Sequence, residues 1–150
     1  MRAPQRCKLH AIAEAWNDEV NETAKDCVDV LVIDDDAVMR ELVADWLEEA
    51  GYRVRKAADC LAGLAQARQV APALVVTDMC MPGPSGTAAV SRLKEQQPGV
   101  RVIAISGHFR SGQGVSAEAA LGAGAARALA KPVKRGELIR AVAELLGAPA

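Results

Sequence analysis

Asp34, Asp35 and Asp36 follow the apolar run Val28 to Ile33, and a fourth acid, Asp78, closes a second run, Ala73-Leu74-Val75-Val76-Thr77. A third run, Val100 to Ile105, stops at Ser106, and a fourth, Ala125 to Ala130, stops at Lys131-Pro132. In a parallel α/β sheet the carboxyl ends of the strands gather along one edge, where ligands bind. Acids, a hydroxyl and a lysine would therefore meet in one pocket. The chemistry such a pocket suits is phosphoryl transfer: carboxylates hold a divalent cation, one carboxylate attacks phosphorus, and Ser106 and Lys131 stabilise charge on the phosphoryl oxygens. Carboxylates crowded at one edge repel one another, which drives some toward protonation unless a dication and a lysine offset the charge.

The elements that must position these groups follow from periodicity. Short β-branched runs alternate with helical patterns, the signature of βα units. Strand one is expected over Val28 to Ile33, followed by a helix whose Val38, Leu42, Val43, Trp46, Leu47 and Ala50 recur at helical spacing until Gly51 supplies the stop. A short second strand near Tyr52 to Ala57 leads to Asp59, which can cap a helix through Leu61, Leu64 and Ala65. Strand three is Ala73 to Asp78, and Met81-Pro82-Gly83-Pro84-Ser85-Gly86 reads as a loop because proline and glycine interrupt regular structure. A helix with Val90 and Leu93 ends before Pro98-Gly99, strand four is Val100 to Ile105, and a short helix is expected around Ser116 to Leu121 after a glycine-rich stretch. Strand five ends at Ala130. Lys134 to Leu146 closes the chain with Leu138, Val142, Leu145 and Leu146 on one face. The fold class is thus α/β, a five-stranded, doubly wound parallel sheet with right-handed crossovers.

A chain of 150 residues favours one domain with a real core. Its net charge of −1 and lack of a basic run argue against a nucleic-acid surface. No apolar stretch approaches membrane-spanning length, and Leu9 to Glu14 is too polar for a signal peptide. Cys7, Cys27, Cys60 and Cys80 form no Cys-x-x-Cys pair, which argues against a zinc knuckle or a disulfide framework and fits a reducing cytoplasm.

Val30-Leu31-Val32-Ile33-Asp34-Asp35-Asp36, Val75-Val76-Thr77-Asp78-Met79-Cys80-Met81-Pro82, Ile103-Ala104-Ile105-Ser106-Gly107 and Leu129-Ala130-Lys131-Pro132 resemble, in order, the four sequence blocks of bacterial response-regulator receiver domains. The resemblance covers roughly residues 28 to 147 and implies the flavodoxin-like strand order 2-1-3-4-5, with residues 1–27 as an extension. It also implies that Asp78 is the phosphoacceptor, taking a phosphoryl group from a histidine kinase or a histidine phosphotransfer protein. Asp35 and Asp78 would ligate Mg²⁺ directly, Asp34 through water and Cys80 through its backbone carbonyl, while Ser106 and Lys131 would contact the phosphoryl group. So sparse a ligand set suits magnesium better than calcium. The Lys131-Pro132 bond is often cis in the family, and an X-Pro bond makes that isomer accessible.

Departures from the family pattern concern the output face. Ala128 stands where receivers commonly carry an aromatic switch residue, Val133 replaces a frequent phenylalanine, and Ser85 stands where an acid is usual. This pattern resembles a subset of stand-alone receivers, and it favours output through docking of a downstream protein over rotation of a ring. Cys80 and His108 occupy the positions that flank the path of the hydrolytic water in the family. No basic neighbour in sequence marks Cys80 as a redox sensor.

Each feature has an ordinary reading too. Asp36 reads as a helix cap, a lone Ser106 would be a turn hydroxyl, and His10 and His108 read as solvated. Two competitors come from other classes. Asp34-Asp35-Asp36-Ala37-Val38 fits the nucleophile block of a haloacid-dehalogenase-like phosphatase with Asp34 as nucleophile; such an enzyme needs an acidic pair at a strand end after the lysine, and only Glu137 and Glu144 follow, within the last helix. The second is a phosphorylation-independent adaptor, which the complete set of acids, hydroxyl and lysine disfavours. Ahead of the resemblance, Leu9, Ile12, Trp16 and Val20 fall on one helical stripe with Glu14, Asp18, Glu19 and Glu22 on other faces. Such an N-terminal helix packs on its own domain, forms a homodimer contact or docks a partner. No output module is expected in the sequence after Gly147.

Overall fold

The computed structural model describes residues 29–80, 86–107 and 116–147. The expected N-terminal helix, the Met81 to Ser85 loop, His10, His108, and Gly112 and Gly114 lie outside the described residues. Five strands, β1 (Asp29–Ile33), β2 (Arg53–Ala57), β3 (Leu74–Asp78), β4 (Arg101–Ser106) and β5 (Arg127–Ala130), alternate with helices α1 (Ala37–Glu49), α2 (Cys60–Gln69), α3 (Gly86–Gln96), α4 (Ala117–Ala123) and α5 (Arg135–Leu146). The strands form one sheet in the order β2-β1-β3-β4-β5, every neighbouring pair parallel. This is the expected doubly wound, flavodoxin-like architecture.

Strand alternation builds a core on each face of the sheet. Leu31, Ile33, Val75, Val102 and Ala104 pack with Leu64 of α2, Val90 and Leu93 of α3 and Ala120 of α4. Val30, Val32, Val76, Ile103 and Ile105 pack with Val43 and Leu47 of α1 and Leu138 and Val142 of α5. β3 is buried along its whole length, Thr77 and Asp78 included. Each large aliphatic side chain so covered contributes about 1.5–3 kcal/mol of transfer free energy.

Local signals set the helix ends. The Asp36 carboxylate accepts from the N–H groups of Val38 at 3.0 Å and Met39 at 3.3 Å, capping α1 as expected. Gly51, at φ 109°, turns the chain out of that helix. Asp59 caps α2 through the Ala62 N–H at 2.7 Å, and Ser116 caps α4 through the Ala119 N–H at 3.0 Å. A Cβ on Gly63 would run into the Ile33 side chain, so α2 lies against β1 only because that position is bare.

Two expectations need correction. The apolar stripe of α1 does not bury as a unit: Val43, Ala44 and Leu47 are covered, whereas Val38 is 75% exposed and Leu42 39%. Val38 and Leu42 stand a quarter turn or more from the Val43–Leu47 face, beyond the width the sheet and α5 can cover. Tyr52 precedes β2 rather than joining it, buried with its hydroxyl donating to the Gly147 carbonyl at 3.2 Å.

At the amino edge of the sheet, Arg55 of β2 binds Asp29 at 2.8 Å and donates to the Gln66 carbonyl at 3.2 Å and the Val70 carbonyl at 2.6 Å. One guanidinium thus ties the start of β1 to the last turn of α2 and to Val70, which caps that helix. Among the described residues no helix is long and apolar enough to cross a membrane.

Candidate functional site

The ends of β1, β3, β4 and β5 bring Asp34, Asp78, Ser106 and Lys131 to one edge of the sheet. Carboxylate oxygens of Asp34, Asp35 and Asp78 lie within 4.8 Å of one another, with Asp34 and Asp78 buried and Asp35 exposed. Asp36 belongs to the helix cap and not to this cluster. Lys131 Nζ lies 3.2 Å from Asp78 Oδ2, and the Cys80 N–H donates to Asp78 Oδ1 at 3.0 Å. Ser106 is fully buried, its Oγ 3.1 Å from Cys80 Sγ. The Lys131 N–H donates to the Ser106 carbonyl at 3.1 Å and the Met79 N–H to the Ile105 carbonyl at 2.8 Å, so the backbone continues the sheet ladder past the strand ends. The Lys131-Pro132 bond is cis.

The acids outnumber the cation beside them. Burial pushes the Asp34 carboxyl up from 3.8 to about 6; the Asp36 N–H and Lys131 lower it, and the negative charge of Asp78 raises it further. Burial works against the Lys131 charge, but the neighbouring Asp78 carboxylate, with Asp34 beyond it, outweighs that and raises the ammonium above its ordinary range. Oxygen donors in this number, with charge in excess of one lysine, fit a hard divalent cation such as Mg²⁺.

Sequence reasoning missed three contacts. Arg40 donates to the Asp34 carbonyl at 2.8 Å, pinning the β1–α1 turn from the first turn of the helix. The Asp36 N–H holds Asp34 Oδ1 at 2.9 Å, so the cap residue also orients its acidic neighbour. The Cys80–Ser106 contact joins the β3 and β4 ends. An arginine four residues after a cap is a usable signal for the first; nothing in the spacing foretells the last.

Residues 30–143 match the response regulator receiver domain family. The chain is a member of that family. The receiver is similar over 105 residues, 69% of its length, to a protein-glutamate methylesterase/protein-glutamine glutaminase of Maricaulis maris, at 39% identity. It is 34% identical over 113 residues to the nitrogen assimilation regulatory protein NtrX of Azorhizobium caulinodans. It spans 26% and 24% of those two proteins. Among solved structures, the receiver domain of NtrX from Brucella abortus superposes with a TM-score of 0.72 at 35% identity, covering 79% of this chain and 98% of that one. A receiver domain protein from Clostridium thermocellum gives 0.72 at 30% identity, covering 79% and 94%. The phosphatase alternative gives way to the receiver: Lys131 contacts Asp78 and not the proposed nucleophile Asp34, and Glu144 on α5 faces Arg127 at 3.4 Å.

Proposed function

We propose that the chain takes a phosphoryl group from a phosphohistidine donor, a histidine kinase or a histidine phosphotransfer protein, onto Asp78. The observation that carries this reading is the Asp78 carboxylate itself: buried, clustered with Asp34 and Asp35, and gripped by Lys131 at 3.2 Å and the Cys80 N–H at 3.0 Å. An Asp78 oxygen attacks phosphorus, the P–N bond of the donor breaks, and its electron pair returns to the imidazole, which takes up a proton. Lys131 moves from the carboxylate to a phosphoryl oxygen, and Ser106 offers its hydroxyl to another. Asp35, Asp78 and the Cys80 carbonyl would hold Mg²⁺, with Asp34 beside them. Held there, Mg²⁺ would supply positive charge to offset that of the acids and the phosphoryl oxygens.

The chain acts in this reading as a signalling phosphoacceptor that assists its own phosphorylation and dephosphorylation, and not as an enzyme with a separate substrate. Residues 28–150 form the receiver and 1–27 an appended segment. Signal leaves through docking of a downstream protein in the cytoplasm, and Ala128, facing Ala104 across the β4–β5 ladder, leaves no ring to rotate there. Intact-mass measurement after incubation with acetyl phosphate and Mg²⁺ tests the proposal. One phosphoryl adduct is expected; rapid turnover to free phosphate would restore the phosphatase, and no adduct would favour the adaptor.

A further inference from the structure

Between α2 and α3 runs a groove of about 580 Å³ floored by Leu61, Leu64 and Ala65 and rimmed by Arg68, Arg92 and Glu95. Leu61 is 63% exposed, and it lies over the apolar floor that Leu64 and Ala65 continue. The groove is held open by polar bonds: Arg68 donates to Gln96 Oε1 at 3.3 Å, and Gln96 Nε2 donates to the Leu64 carbonyl at 3.2 Å. Neither Leu61 nor this rim belongs to the cluster of Asp34, Asp35, Asp78, Ser106 and Lys131.

We propose that the groove is occupied by the chain's own residues 9–20, with Leu9, Ile12, Trp16 and Val20 laid along the Leu61–Leu64 floor. Three observations select this occupant. The first is where the described chain begins: Asp29 is tied by Arg55 to the carbonyls of Gln66 and Val70, at the end of α2 that borders the groove. Residues 21–28 can extend roughly 26 Å, against about 15 Å for the whole of α2, so the stripe reaches any point of the groove.

The second is charge. Residues 9–24 carry Glu14, Asp18, Glu19 and Glu22 and no lysine or arginine, and on a helix Glu19 borders the apolar stripe. The groove offers two guanidinium groups against the single carboxylate of Glu95. The third is the rival surface. Val38 and Leu42 also stand exposed, but of the acids that α1 sets around them Lys56 and Arg135 pair only Glu41 and Glu49, and Asp45 and Glu48 leave that face unfavourable to an acidic segment.

Trp16 and Trp46 are the two tryptophans, so in a full-length Trp46→Phe chain acrylamide quenching reads Trp16 alone. Slow quenching is expected, independent of protein concentration, rising severalfold with Leu61→Ser or Arg68→Glu/Arg92→Glu and unmoved by Leu42→Ser. Free-solvent quenching in the parent, or indifference to Leu61→Ser, overturns the proposal. Sensitivity to Leu42→Ser moves the segment to α1, and concentration dependence assigns the groove to a second copy; either result also overturns it. A second readout leaves Trp46 in place: Trp16→Asp in the full chain should speed hydrogen exchange in α2 and α3 but not in α1. Unchanged exchange in α2 and α3 counts against the assignment.

Discussion

Cys80 Sγ lies 3.1 Å from Ser106 Oγ, so the residue two places after Asp78 is in contact with the hydroxyl at the end of β4. Cys80 is exposed, whereas Ser106 is buried, so the thiol stands between the hydroxyl and solvent. On the proposed function, alkylating Cys80 adds bulk beside the phosphoryl acceptor. The rate of phosphorylation by acetyl phosphate should fall by about tenfold or more, equivalent to about 1.4 kcal/mol in the barrier. Cys80→Ala should be indifferent to the reagent, which separates this effect from modification of Cys7 or Cys27.

Asp78→Asn should fold normally and take up no phosphoryl group, because an amide is nearly isosteric with the carboxylate but is not a nucleophile. Mass spectrometry with acetyl phosphate and Mg²⁺ checks this directly. A full adduct in that variant would place the acceptor at Asp34 or Asp35.

Burial, with the negative charge of Asp78 added to it, makes Asp34 a pH-dependent cost. Its carboxyl titrates near 6 in the folded chain against 3.8 ordinarily, so between those values the folded state holds the extra proton. Without Mg²⁺ its contribution to stability therefore falls as pH rises from about 4 to about 6, and the full penalty remains above that. Asp34→Asn should raise the urea midpoint at pH 7 and leave it nearly unchanged at pH 4. Protons and Mg²⁺ compete for the same cluster, so Mg²⁺ affinity should climb with pH through about 6 and then level off. Titration calorimetry at pH 5 and pH 7 measures it. Asp35→Ala should weaken Mg²⁺ binding at both values and slow phosphorylation.

Phosphorylated Asp78 presents more charge and more acceptor oxygens to Ser106 and Lys131 than the free carboxylate does. Hydrogen exchange across residues 106–121 should slow on phosphorylation, and Ser106→Ala should lose most of that protection. Slowing confined to the β5 region would refute this route for the signal.

Gly63→Ala tests the support beneath the site. The new methyl meets the buried Ile33 side chain, one residue before Asp34. Overpacking of this kind costs about 1–3 kcal/mol, read as a lower thermal midpoint.

Much of this was legible in the sequence, because apolar runs ending in chemically distinct residues mark strand ends directly. Asp36 and Asp59 announced their caps through local chemistry, and Asp78, Ser106 and Lys131 stand where their runs stop. The missed features depend on tertiary neighbours. Periodicity grouped Val38 and Leu42 with Val43 and Leu47, but the breadth of the sheet and α5 decides which of them is covered. Tyr52 looked like strand because aromatic residues favour strands, yet its hydroxyl found the Gly147 carbonyl 95 positions away. The contact of Cys80 with Ser106 spans two strand ends, and no local pattern encodes it.

The acceptor edge draws on four strands, and its ion pair joins residues 53 positions apart. No fragment that lacks β1, β3, β4 or β5 contains it. A nascent or partly unfolded molecule has the aspartates but no cluster, and the lysine but nothing for it to grip. A phosphodonor that recognises this edge therefore inspects the whole sheet at once: competence to receive the signal doubles as a certificate that β1, β3, β4 and β5 have all found their places.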